Sequence, residues 1–369
     1  MENAAKSYAR ATFLLGLVSG AVELTAVALF LFTGASRSLG LRLPGVWAYF
    51  LVFGAGFEAL SLAFAWMGRG IEIRFGMNRQ SLAGWWLDQL KGLALTACLG
   101  LGAVELMYWL MRSAGGTWWL WAWAAFAVFF VVMAQIGPVL LLPLFFKMRR
   151  MDDDEPLSRR LTATYAGLRA RNPRLPRLHG IFEWKLGEKS AKANAALTGL
   201  GGTRRVIISD TLLESSPEDE IEAVFIHELG HHVHHDIWRG LGFQTAVSFL
   251  EFWAAGSVLA AVAPRLGMRV SDVASLPLLI LVFAGLHLAL LPVSNGFVRA
   301  MERRADDYSF ETLGTAAPLI AGLERLAARN LAETDPPKWK EWLLYSHPSI
   351  ATRIRRGREW SARSISSVS

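Results

Sequence analysis

The sequence predicts a mostly α-helical, polytopic membrane protein, with about six spanning helices and a soluble α+β segment set between the fourth and fifth. Three observations predict it. Of 369 residues, 53% are hydrophobic and only 19% charged, where a soluble domain carries about a quarter charged residues. The apolar residues come in blocks long enough for a ~30 Å hydrocarbon core rather than at the periodicity of a soluble core. Tryptophans gather at the block ends, at Trp85 and Trp86 and at Trp118, Trp119, Trp121 and Trp123, where aromatic rings form an interfacial belt.

This composition disfavours a plain cytosolic enzyme, a disordered chain and a nucleic-acid binder. The net charge of +7 fits basic loops facing anionic lipid heads, so the bilayer is the expected partner and no nucleic acid is. The single cysteine, Cys98, rules out a disulfide within the chain and a cysteine metal site.

The spans are expected near 12–34, 47–67, 88–111, 117–146, 241–263 and 275–298. The first exceeds the ~7–15-residue core of a signal peptide and reads as a retained helix. The fourth carries Pro138 and Pro143 and is expected to kink or end in a short second segment. Lys6, Arg10, Arg69, Arg74, Arg79 and the basic 147–240 segment fall on one side; Arg37, Arg42, Arg112, Arg265 and Arg269 fall on the other. The positive-inside rule then places both termini and the long segment in the cytoplasm, most naturally at a bacterial inner membrane. Glu23, Glu58, Glu251 and His287 lie within spans and are expected to face a polar interior; Glu105 is read as either interior or near an interface, and Asp88 as nearer an interface.

In the soluble segment, acids at 152–155 before Pro156 mark a helix start, with Leu157, Leu161, Tyr165 and Leu168 on one face and Asn172, Pro173 and Pro176 ending it. Strand-like runs follow at 178–183, 194–200 and 205–209. A second helix is expected from Ser216 as N-cap, Pro217 at the first position and three acids at its positive end. It carries His227-Glu228-Leu229-Gly230-His231. Histidines at i and i+4 share one helical face and can reach one ion, and Glu228 between them can take a proton from the attacking water. With 8 histidines in the chain the pattern seldom arises by chance. His232, His234 and His235 read as a solvated or interfacial stretch rather than ligands. A catalytic zinc site needs a third protein ligand. Glu251 and Glu302 are candidates; Glu302 is favoured because it lies at the cytoplasmic mouth of span six, with Asp306 one turn on and the cation Arg299 on nearly the same side.

At this point the chain resembles a family. Asn194-Ala195, Gly199, the run Arg205 to Leu213, Glu220-Ile221, Ala223-Val224 and HELGH at 227–231 resemble the M48 metallopeptidases, more narrowly the Ste24-type CAAX prenyl proteases. Arg299, Glu302, Ala305 and Asp306 match that family's third-ligand segment, and Ser346-His347-Pro348 with Arg353-Ile354 its C-terminal motif. Phe75 to Arg79 and Asp88 to Lys91 resemble its membrane region. The resemblance implies a zincin-like cytoplasmic protease domain with a short sheet, and one Zn²⁺ per chain held by His227, His231 and Glu302. It implies Glu228 as general base, His347 as oxyanion stabiliser, Asp306 orienting a ligand histidine and Arg353 bracing the site or touching substrate. Asn194 and Ala195 would form the edge strand on which a peptide lies. The sequence departs from the family in counting six spans rather than seven, in His232 and in Ala196.

The expected organisation is a four-span membrane region (1–147), a cytoplasmic segment with edge strand and motif helix (148–240), two spans (241–298) and the remainder of the protease domain (299–369). The expected activity is membrane zinc endopeptidase, CAAX-protease-like, on a peptide or membrane-protein substrate. The rivals are a quality-control protease without prenyl specificity and a non-catalytic scaffold with structural zinc, which would have no need of Glu228.

Overall fold

A computed structural model describes residues 2–43, 45–173, 175 and 177–366. Pro176 lies outside them. The helices outrun the apolar blocks, because hydropathy marks only what lipid covers while the backbone continues until a breaker stops it. Helix α1 spans Glu2–Phe32, ten residues earlier than hydropathy suggests. Gly34, in the left-handed region at φ 79°, turns the chain into the short α2 (Ala35–Arg42). Next come α3 (Val46–Arg74) and α4 (Leu82–Ser113), the latter capped by Ser81 Oγ accepting from the Gly84 N–H. Helix α5 (Trp118–Ile136) unwinds into a π-helical turn at Gly137–Leu141 and ends in α6 (Leu142–Phe145). That is the expected kink, since neither proline can donate to the ladder.

The soluble elements are β1 (Met148–Arg150), α7 (Pro156–Arg171), β2 (Gly180–Trp184), β3 (Ala195–Thr198), β4 (Arg205–Ser209), α8 (Asp210–Ser215) and α9 (Glu218–Val233). Two spans follow, α10 (Asp236–Val262) and α11 (Leu276–Leu313), and then α12 (Ala317–Arg329), α13 (Lys338–Leu344) and α14 (Ile350–Ser366). Two expectations are corrected. Ser216 is not the N-cap of the motif helix: it closes α8, which the sequence reading missed, and extended Pro217 takes the cap position. The three-residue β1 was also missed, being too short for alternation to register.

Among the described residues, six helices are long and apolar enough to cross a membrane. They form a closed ring: α1 packs on α3, α3 on α4, α4 on α5, α5 on α10, α10 on α11, and α11 back on α1. The ring end remote from the soluble elements is filled. Leu31, Tyr49, Phe53, Tyr108, Trp118, Leu259 and Leu279 meet there in one buried core. Ser36 donates to the Ala274 carbonyl (2.6 Å) beside the Tyr49 hydroxyl (2.7 Å), locking α2 and the 273–275 turn into that plug. Toward the other end Glu23 accepts from Ser61 (2.9 Å), a polar pair between α1 and α3.

The soluble elements sit over that other end. The sheet order is β1-β2-β4-β3, with β2 and β4 parallel and both outer pairs antiparallel. Val206, Ile208, Ile221, Phe225, Leu229, Phe310 and Leu319 form a second core, so the motif helix is wedged between sheet, α11 and α12. The 77–79 loop fastens this unit to the ring. Arg79 N–H donates to Lys189 O, Ala191 N–H to Met77 O (2.9 Å each), and Lys192 pairs with Glu72 (2.9 Å). Asp88, expected near an interface, takes Lys189 and Gln80 there.

Candidate active site

Helix α9 presents His227 and His231 along one side, with ring centroids 5.0 Å apart. The partner surface is α11, which crosses the membrane and stays helical to Leu313 through Pro292. Its extension beyond the apolar block therefore keeps helical phase, and Glu302, Ala305 and Asp306 face α9. The two helices touch closely at Gly230, where a Cβ would lie 2.9 Å from the Ala305 Cα. That contact is backbone and cannot rotate away. Gly230→Ala is expected to push the helices apart, cost about 1–3 kcal/mol as overpacking does, and weaken metal retention. Thermal unfolding and metal analysis check this; a variant matching wild type in both would remove the geometric role of Gly230.

Glu302 Oε2 lies 3.5 Å from His227 Nε2, and Oε1 lies 3.4 Å from His231 Nε2. A tetrahedral ion bound through N and O at about 2.0–2.2 Å needs donor atoms about 3.4 Å apart. The ligand atoms of these three residues all fall within 4.8 Å of one another. The donor set fits a metal ion, and the fourth side is left to His347, 61% exposed, whose Nδ1 is 3.1 Å from Glu302 Oε1.

Each histidine is held from behind. Asp306 Oδ1 lies 3.0 Å from His227 Nδ1, and Asp236 Oδ2 3.0 Å from His231 Nδ1. Such carboxylate bonds fix the ring so that Nε2 faces inward. Asp236 is a site residue the sequence reading missed. It opens α10 just after His235 turns the chain in the left-handed region (φ 55°), so no helical spacing links it to His231; an acid at the start of the next helix was the available signal. Burial by itself lowers the His231 pKa, but Asp236 and Glu302 outweigh it and raise it to about 10. At His227 burial likewise pulls down, and Asp306 and Glu302 raise the pKa overall. A bound ion takes the place of those protons.

Arg353 on α14 donates to both oxygens of Asp306, at 2.9 and 2.5 Å, with the carboxylate side chain 1% exposed. Arg353→Ala leaves that carboxylate buried without a cation, which typically costs 3–5 kcal/mol. The loss is expected in denaturant unfolding, with Arg353→Lys recovering part of it; an unchanged midpoint would mean that Asp306 finds another partner.

Arg299 does not balance these carboxylates, contrary to expectation. It donates to the carbonyls of Glu341 (3.1 Å) and Tyr345 (2.5 Å), and Asn295 donates to Leu343 O (2.9 Å). Both tie α13 and the following turn to α11, and that turn carries His347. The cation beside the site is Arg353, 3.9 Å from Glu302.

Glu228 leaves the metal cluster and reaches the sheet: Oε2 accepts the Leu197 N–H of β3 at 2.8 Å. Ser209 N–H donates to Asn194 O, so 194 with 209 and 196 with 207 are the bonded pairs, and the backbone of Ala195 and Leu197 turns to the open edge. Asn330 clamps Ala193 at both N–H and C=O (2.8 and 3.0 Å), holding the approach to that edge. Of the trailing histidines, His232 is buried rather than solvated, His234 Nδ1 meets Gly230 O (2.8 Å), and none joins the metal cluster.

Glu251 is far from this cluster. It is buried in α10 beside a cavity of about 600 Å³ shared with Cys98, Phe126 and Phe283, with His287 Nδ1 3.9 Å from its Oε1. From Asp236, which touches His231, it is about 22 Å along the helix.

Comparison with known proteins gives the family and the fold. Residues 159–361 match the model of peptidase family M48, and residues 3–147 that of the CAAX prenyl protease N-terminal region, described as five membrane helices; four of the spanning helices found here lie in that stretch. An uncharacterized metalloprotease of Bacillus subtilis, YhfN, is 29% identical over 302 residues, covering 80% of this chain and 69% of its own. A CAAX prenyl protease 1 homolog of Arabidopsis thaliana is 29% identical over 300 residues, covering 77% and 66%, and CAAX prenyl protease 1 of Saccharomyces cerevisiae is 27% identical, covering 77% and 65%. The chain thus spans about two thirds of the length of these relatives. The crystal structure of S. mikatae Ste24p superposes with a TM-score of 0.83 at 21% identity, over 96% of this chain and 88% of that one, which shows a shared fold. The chain belongs to peptidase family M48, as a multi-pass membrane metallopeptidase.

Proposed function

We propose that the protein is a zinc endopeptidase, with one ion per chain held by His227, His231 and Glu302, that cuts an extended peptide laid along β3 at the cytoplasmic face of the membrane. The observation that carries this is the position of Glu228, with its carboxylate 2.8 Å from the backbone of the open sheet edge and its neighbours His227 and His231 in the metal cluster. When bound, zinc supplies the Lewis acidity that acidifies water and polarises a carbonyl. Glu228 takes the proton of the attacking water and returns it to the leaving amine. Asp306 and Asp236 hold the two ligand imidazoles, and Arg353 holds Asp306. His347 donates to the carbonyl oxygen as charge develops on it. The Ala195 backbone and the Leu197 carbonyl pair with the substrate backbone, while the Leu197 N–H stays on Glu228, and Asn194 enters that edge. Arg299 keeps the turn bearing His347 against α11.

Lys and Arg outside the spans concentrate at the ring end that carries the metal cluster, which supports a cytoplasmic site with both termini on that side, in a bacterial inner membrane. The same end joins the segments 148–240 and 299–369 as one protease unit over the spans of 1–147 and 241–298. The substrate we favour is membrane-attached near a CAAX-like end, as the names of the relatives suggest.

Trapping tests the reading. Glu228→Gln protein, purified from its host, is expected to retain chains that wild type releases, with membrane-attached C-terminal segments among them. Misfolded membrane proteins lacking such ends would transfer the assignment to quality control. Failure to trap any chain, with proteolysis of peptides intact, would overturn the endopeptidase mechanism.

A further inference from the structure

The ring end remote from the metal site has an unusual charge balance. In the segments 33–45, 112–117 and 263–275, Asp272 is the only acid, against Arg37, Arg42, Arg112, Arg265 and Arg269. Three of these arginines, contributed by three separate segments, line one cavity of about 540 Å³. Arg37 of α2 lies against Gly267, where a Cβ would sit 3.1 Å from its Nη1. Arg112 at the end of α4 stands over the Tyr108 ring (6.0 Å), and the Tyr108 hydroxyl is 3.0 Å from Ser275 Oγ. Arg269 bonds Asp272 at 3.1 Å through its side chain. Among the described residues, Arg37 and Arg112 have no carboxylate partner. Arg269 is matched by Asp272, which lines the same cavity, so Arg37 and Arg112 are the two guanidinium groups there that a further anion would join.

The remaining walls say which anion. Leu41, Met268, Val273 and Ala274 line the same cavity, and Leu41 is 78% exposed at its rim. Trp47 and Trp109, both about 60% exposed, stand at this end of the ring, at the depth where tryptophan meets lipid headgroups. Met268, Val273 and Ala274 are themselves buried, so the apolar surface left open is Leu41 with the nearby tryptophans; a free phosphate would satisfy the arginines and leave these exposed, whereas a lipid satisfies both. We propose that the cavity binds the phosphate headgroup of an anionic phospholipid from the leaflet opposite the metal site, fastening α2, the end of α4 and the 263–275 turn together. This does not depend on the proposed peptidase mechanism.

Native mass spectrometry of delipidated protein tests it, using phosphatidylglycerol, phosphatidylcholine of the same chains, and inorganic phosphate. Wild type is expected to hold phosphatidylglycerol at least tenfold more tightly than phosphatidylcholine, and millimolar phosphate is expected not to displace it. Arg37→Gln/Arg112→Gln is expected to lose that preference with its thermal unfolding otherwise intact, while Arg37→Lys/Arg112→Lys keeps it. Equal binding of the two lipids, or an unchanged preference in the Gln variant, overturns the proposal. Displacement by phosphate alone reassigns the cavity to a soluble anion and overturns the lipid. Should the Gln variant not fold, wild type labelled with phenylglyoxal decides: phosphatidylglycerol, and not phosphatidylcholine, is expected to protect Arg37 and Arg112 but not Arg42. Equal labelling with either lipid counts against the site.

Discussion

Glu302→Ala is expected to strip the protein of its zinc, while Glu251→Ala keeps a full complement. The contrast rests on distance. Glu302 offers one oxygen to each histidine at 3.4–3.5 Å, the spacing of two ligands on one ion. Its loss leaves two imidazoles, and the affinity is expected to fall by more than the roughly 10–100-fold that follows removal of an outer partner. Asp236→Asn and Asp306→Asn supply that smaller scale within the same protein. Glu251 lies about 22 Å down α10, in apolar surroundings with the His287 imidazole 3.9 Å away. Metal analysis after dialysis against a weak chelator is the measurement. Zinc retained without Glu302, or lost without Glu251, would mean that the cluster seen between α9 and α11 is not the metal site.

Glu228→Gln is expected to keep zinc and fold yet lose peptide hydrolysis by roughly 10²–10⁴-fold, the usual share of a positioned general base. Glutamine has nearly the same shape, and its amide oxygen can still accept the Leu197 N–H, so β3 stays where it is. Only proton transfer is removed. The effect is therefore expected in kcat with little change in KM, since the peptide still lies along the same edge. A rate near wild type would move the base elsewhere. Loss of zinc together with activity would show that Glu228 serves the metal rather than the water.

Much of this site could be read from one dimension. His227 and His231 repeat at helical spacing, and Pro217 with the acids after it marks where their helix starts. Glu302 was reachable because α11 keeps its helical phase beyond the apolar block, so a residue counted along the sequence stays on a known face. Glu302 and Asp306 follow that rule. Arg299 obeys the same spacing and still turns away, because its long side chain reaches carbonyls that only the docking of α13 brings within range. Asp236 breaks the rule in the other direction: the left-handed turn at His235 resets the helical phase, and only the meeting of α9, α10 and Arg304 (2.9 Å from Asp236) makes it part of the site.

By itself, then, the sequence determined the membrane class, the six spans, the motif helix and the histidine pair with Glu228 between them, all of which depend on the 3.6-residue period and on runs of apolar residues. Tertiary structure alone decided that the six spans close into a ring plugged at one end. It alone decided that β3, and not β1 or β2, offers its backbone to Glu228, and that Gly230 lets α11 approach closely enough for one carboxylate to meet two imidazoles. These are contacts between residues far apart in the chain. Local periodicity assigns each residue a face, but which surfaces meet depends on how helices and strands pack, and that is set by the shapes of both partners together.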